Sequence, residues 1–153
     1  MPKLRSDLWP PTISGPEVVA PVTILREQAA MLGKKTNGLV LASVRTTTRD
    51  SLTRDEKTGL RALTRPGHDA GNGNEGFIHS FQLVVPALED YTYTLFRIEH
   101  GIKLYPVKLH VPRTLGGRIA KSEDEFVDIL RKILSSDNTR RVIGSLIAQV
   151  ETA

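Results

Sequence analysis

Between Phe77 and Val111 the chain reads FIHSFQLVVPALEDYTYTLFRIEHGIKLYPVKLHV, three apolar-alternating runs separated by turn residues. A side-chain period of two marks a half-buried strand, and three such runs in succession point to an antiparallel meander. In the first run Phe77, Phe81, Leu83 and Val85 share one face, with Ser80 and Gln82 on the other. Pro86 ends that run because it has no N–H for a ladder, and Glu89 and Asp90 complete a polar connection. The second run, from Tyr91, is rich in β-favouring residues (Thr92, Tyr93, Thr94, Phe96, Ile98). Placing Val85 opposite Thr92 sets Phe81 against Phe96 and His79 against Ile98, which gathers the apolar side chains on one side. A slip of one residue would turn the whole set to solvent, so burial selects the register.

The third run poses a choice of turn. A two-residue loop at His100 and Gly101 would put Pro106 opposite Leu95 at a hydrogen-bonded position that proline cannot serve. The sequence therefore predicts a three-residue turn, Glu99-His100-Gly101, with Gly101 at positive φ and with Ile102 and Leu104 beside Ile98 and Phe96. A bulge near Tyr105 and Pro106 then returns Val107, Leu109 and Val111 to the core face. The opposite face would carry Gln82, Tyr93, Arg97, Glu99, Lys103, Lys108 and His110, a polar and aromatic surface of the kind antiparallel sheets often leave to water.

The flanking segments are expected to cover this meander. Residues 1–20 form an extended arm, with prolines at positions 2, 10, 11 and 16, Pro21 at the junction, and Trp9 beside Pro10 and Pro11. Exposing Leu8, Trp9 and Ile13 together is costly, so the arm is expected to dock, on its own body in preference to a second subunit. Residues 21–153 read as one α+β domain. A helix from Pro21 to Asn37 carries a stripe of Ile24, Leu25, Gln28, Met31 and Leu32, and Asn37-Gly38 supplies a left-handed stop. Leu39 to Arg45 suits a strand covered on both faces. Residues 46–76 are a polar insertion, with a short helix expected over Ser51 to Leu63 and a glycine-rich tip from Arg65 to Gly76. After a basic connection from Pro112 to Lys121, Ser122-Glu123-Asp124-Glu125 is a capping box, followed by Phe126, Ile129, Leu130, Ile133 and Leu134 on one stripe. A last helix capped by Ser136 or Asp137 turns Val142, Ile143, Leu146, Ile147 and Val150 inward. The expected architecture is an antiparallel sheet of about four strands, one before and three after the insertion, packed against the N-terminal helix and a C-terminal helical hairpin.

Composition excludes several kinds of chemistry. The 153 residues contain no cysteine, which removes disulfides, thiolate nucleophiles and cysteine-ligated metals, and suits a reducing, cytoplasmic compartment. The N-terminus has no signal-peptide pattern, and no apolar run approaches the roughly 20 residues a bilayer requires. A formal net charge of +4 is interspersed with acidic residues and speaks for solubility more than for nucleic acid. A second alternative function, nucleic-acid binding through the C-terminal helix, rests on Arg140 and Arg141, which open that helix as basic residues open a DNA-reading helix, against the acidic helix before them that would repel phosphate.

No catalytic signature is complete. The stretch from Gly71 to Gly76 matches G-x-G-x-x-G, yet a polar loop precedes it and a strand follows, where a dinucleotide site needs a strand and then a helix. The four histidines show no metal-ligand spacing, and in the register above His100 and His110 would lie about 30 Å apart at 3.3 Å per residue. Neither a metal nor a cofactor is implied. The leading expectation is a non-enzymatic protein-binding module whose partner is another protein or a second copy, with Trp9 of the arm and Tyr93, Arg97, Glu99, Lys108 and His110 of the open sheet face as contact residues. The alternative from another class is a small-molecule binder or enzyme using the same face as a pocket.

Overall fold

The computed structural model of the chain describes residues 6–48, 76–112 and 117–152. Helix α1 (Pro21–Lys35) leads into five antiparallel strands, β1 (Leu41–Thr48), β2 (Phe77–Val85), β3 (Tyr91–His100), β4 (Val107–His110) and β5 (Arg118–Ala120). Helices α2 (Glu123–Leu134) and α3 (Asp137–Thr152) follow. The strand order in space is the order in the chain, β1-β2-β3-β4-β5. This is the expected α+β architecture with one more strand. The extra strand, β5, falls within the segment read as a basic connection. It holds only three residues and buries one of them, Ala120, so it offers almost no alternation to detect. Its entry favours glycine, because a Cβ on Gly117 would sit 3.1 Å from the Leu109 carbonyl oxygen, a tight contact.

The core forms where helices cover one face of the sheet. Phe81, Leu83, Val85, Leu95, Phe96, Ile98, Val107 and Leu109 from the strands meet Ile24 and Leu25 of α1, Phe126, Leu130 and Ile133 of α2, and Leu146 of α3. Phe81 and Phe96 stack with ring centroids 5.0 Å apart. The capping box works in a shifted form. The Ser122 hydroxyl accepts from the Glu125 N–H at 3.2 Å, while the Glu125 carboxylate accepts from Lys121 N–H at 2.7 Å, one residue before the cap. The last helix is held at its start by Ser136, whose hydroxyl accepts from Thr139 N–H at 3.3 Å.

The two phenylalanines and the His79–Ile98 pair fall in the expected register, but Val85 faces Tyr91, not Thr92. The shift lies between the Phe81 and Gln82 pairs, where Leu95 is an extra residue on β3. Both Leu95 and Phe96 are buried in the core, so β3 yields two core side chains in succession there. Beyond that bulge the phase of β3 is reversed, and Tyr93 pairs with Leu83 and packs against the core instead of the open face.

The turn after β3 also differs from the sequence reading. β4 begins only at Val107, and Arg97, Ile98 and Glu99 pair with His110, Leu109 and Lys108. The connection is therefore six residues, Gly101 to Pro106, with a cis peptide at Tyr105-Pro106 and no positive φ at Gly101. Ile102 lies in this connection, 79% exposed, not beside Ile98. Val107 and Leu109 do return to the core.

At the other end of the chain, α1 stops two residues earlier than expected and β1 begins two later. Thr36 joins them, its hydroxyl accepting from Val40 N–H at 3.1 Å and lying within donating distance of the Val40 carbonyl at 2.8 Å. Asn37 and Gly38 both take positive φ, as a left-handed helix stop requires. Met31 faces solvent, and Ala29 takes its place in the buried stripe beside Ile24 and Leu25. β1 is an edge strand, with Ser43 and Arg45 exposed, rather than a strand covered on both faces. The expected helix over Ser51 to Leu63, the glycine-rich match at Gly71 to Gly76 and His68 lie outside the described residues, save Gly76 itself.

Candidate functional site

The chemistry-bearing side chains collect in two places, one on each face of the sheet. On the core face, at the β2 start and β3 end, His79 and His100 are 4% and 8% exposed and their Nε2 atoms are 2.9 Å apart. Strand pairing makes this contact: Phe77 is opposite His100, so His79 is its diagonal neighbour on the same face. The rings of His79 and Phe77 both stack on His100, with centroids at 5.0 and 5.6 Å.

The outer partners of this pair assign its protons. His100 Nδ1 lies 2.7 Å from the Gly101 carbonyl, which can only accept, so Nδ1 carries the hydrogen. Neutral His100 then offers Nε2 as an acceptor, and His79 Nε2–H donates to it. His79 Nδ1, left as an acceptor, is 2.9 Å from the Thr46 hydroxyl of β1. The chain of bonds Thr46–His79–His100–Gly101 is thus complete with both imidazoles neutral. Burial, followed by His100 and Arg26 of α1, lowers the His79 pKa to about 4. No ring nitrogen is left over for a metal or a substrate proton, so this pair holds three elements of the sheet together rather than performing chemistry.

The opposite face carries the polar groups. Arg97 is directly opposite His110, and Glu99 is opposite Lys108, so these four expected contact residues share one patch of β3 and β4. His110 is therefore beside Arg97, three residues from His100 along β3 or about 10 Å, and not some 30 Å away. The six-residue connection is the cause, since it takes up Ile102 to Pro106, which the three-residue turn would have paired along β3, and so leaves His110 only a few residues past the turn. His110 Nδ1 is sealed from solvent and has no hydrogen-bond partner. Burial and then the Arg97 guanidinium hold its pKa below the ordinary imidazole range. Tyr93, placed on the core side by the bulge, is not part of this patch.

Trp9 stands apart, 74% exposed, with Leu8 and Ile13 at 80% and 71%. Among the described residues, the arm's hydrogen bonds to the body are at its end. There the Tyr105 hydroxyl donates to the Val19 carbonyl at 2.9 Å, and the Glu123 carboxylate accepts from Val19 N–H. Docking of Trp9 on its own body, the expectation from its size, is not found.

No protein-family model, curated protein or solved structure matches the chain. Its function has to be read from its own geometry. Among the described residues no group of three or more His, Asp or Glu could hold a metal ion, and no helix is long and apolar enough to cross a membrane. Arg140, at the start of α3, lies 3.8 Å from Asp137, so that helix opening is partly neutralised by its own carboxylate. The histidine pair was available to sequence reasoning in the His79–Ile98 register, because His100 is then two residues along the same face. Its signal was the diagonal neighbour rather than a sequence motif.

Proposed function

We propose that the chain is a non-enzymatic protein-binding module whose proline-rich arm is the segment a partner reads. The observation that carries this is the exposure of Leu8, Trp9 and Ile13 on an arm anchored to the body at Val19. Large apolar side chains left in water favour burial by about 25 cal/mol per Å². Pro10, Pro11 and Pro16 already have fixed φ, which lowers the entropy the arm loses when a partner orders it. Aromatic-lined grooves that take polyproline segments have the chemistry to receive such an arm. The absence of cysteine from the sequence supports a reducing, cytoplasmic setting. A second copy of the chain and a different protein are both admissible partners.

A photoreactive analogue at position 9 of the full chain, irradiated in extract of the source cells, tests the reading. It should give a discrete adduct, of twice the chain mass for a second copy and of another mass for a different protein. Changing Leu8 and Ile13 together to Ser should abolish that adduct. A strictly monomeric sedimentation profile with no adduct at position 9 would end the proposal.

A further inference from the structure

The register places four polar residues in one row across four strands. Arg45 of β1 is opposite Ser80 of β2, Ser80 is opposite Arg97 of β3, and Arg97 is opposite His110 of β4. Two hydrogen bonds fix which face they occupy. Thr46 reaches His79 on the helix-covered side, and Gln82 reaches Thr94 on the other, at 3.4 Å, so the residues alternating with His79 and in phase with Gln82 face away from the helices. Neighbouring strands lie about 4.8 Å apart, and directly opposed Cβ atoms lie about 5 Å apart, so adjacent members of the row are within reach of one small ligand.

Three members of the row are under-used. Ser80 is buried, while Arg97 and His110 are half-buried. Arg97 forms no ion pair with any described residue, and His110 Nδ1 is sealed from solvent without a partner. All three can donate: a guanidinium, a hydroxyl and, in the Nδ1–H tautomer, an imidazole. The carboxylate nearest in the ladder, Glu99, lies in the next row opposite Lys108, so a cation already stands across from it.

We propose that Ser80, Arg97 and His110 form a binding site for a phosphate monoester. A terminal phosphate presents three acceptor oxygens, one for each donor strand, whereas a carboxylate presents two. Its charge suits Arg97, with Arg45 and Lys108 at the margin of the site, and a guanidinium fork is the side chain best matched to phosphate geometry. A neutral His110 adds a donor without a charge. The site rests on different residues from the arm and stands whether or not the arm binds a partner.

Titrating the full chain with inorganic phosphate at constant ionic strength, with imidazole and guanidinium resonances followed by NMR, tests this. Saturable shifts of His110 and of Arg97 Nε are expected, with acetate at equal concentration at least tenfold weaker. Arg97→Gln should weaken phosphate at least tenfold and Ser80→Ala severalfold, while Lys103→Ala on the β3–β4 connection leaves it unchanged. Should Arg97→Gln disturb folding, Arg97→Lys keeps the charge, loses the fork and should still weaken binding severalfold. Linear unsaturable shifts, equal binding of acetate, or equal weakening by Lys103→Ala would each overturn the site.

Discussion

His79 and His100 touch through their Nε2 atoms at 2.9 Å inside the sheet's helix-covered face, and they do so as two neutral rings. A proton added to His79 would place a charge in this buried site, near the Arg26 guanidinium, without the water that would otherwise solvate it. The pair therefore ties stability to pH. The His79 pKa is 6.5 when unfolded and about 4 when folded. Between those values the unfolded chain binds more protons, so the folded state is fully favoured above about pH 6.5 and loses that advantage as pH falls towards 4. The loss approaches roughly 3 kcal/mol at 1.36 kcal/mol per pKa unit. Urea melts from pH 7.5 to 4 should show it, and His79→Gln should be less stable at neutral pH yet flatter across this window.

Phe81→Ala and Phe96→Ala should each cost roughly 3–5 kcal/mol, because the two rings stack at the centre of the core. Lys103→Ala, on an exposed position of the β3–β4 connection, should stay within about 0.5 kcal/mol. Equal losses for all three in denaturant melts would contradict the assignment of faces.

Tyr105 ties the arm to the body. Its hydroxyl donates to Val19, its ring meets Phe126 edge-on at 6.4 Å, and burial, followed by Glu123, raises its pKa to about 12. Tyr105→Phe keeps the ring and should cost about 1 kcal/mol, the usual net value of one hydrogen bond. Faster amide exchange at Val19, with unchanged exchange in β2, would identify the loss as local.

Trp9 in the isolated chain should emit like a solvated indole and be quenched readily by acrylamide, since it is 74% exposed. A blue shift with rising protein concentration would mark burial against a second copy. A blue-shifted, quencher-resistant Trp9 in dilute monomer would mean that the arm folds back after all.

Much of the fold was legible because burial leaves a period in the sequence. Phe81, Phe96 and Ile98 announced the meander, and Ser122 with Phe126, Leu130 and Ile133 announced α2. What escaped had no period to show. Leu95 looks like an ordinary strand residue, yet as a bulge it reverses the phase of Tyr93. β5 is too short to alternate, and the six-residue length of the β3–β4 connection, which brings His110 beside Arg97, leaves no period in the sequence. Of the residues expected on the open face, Arg97, Glu99, Lys108 and His110 share the patch because two strands of known parity carry them. Trp9 could be placed on an arm but not against a surface, since no local pattern records what a side chain fails to touch.

Because the strands pair in the order they are made, most of the sheet can assemble from near neighbours. Five residues separate Val85 from Tyr91, whereas 28 lie between Thr48 and Phe77, which face each other across β1 and β2. Closing the longer loop costs roughly 1.5 kcal/mol more, from a loop entropy that grows as (3/2)RT ln n. By loop closure alone, β2, β3 and β4 are expected to pair first and β1 to join them later. In that order the two histidines meet before Thr46 completes their bond, and amide exchange that protects β2 and β3 ahead of β1 during refolding is the expected sign of it.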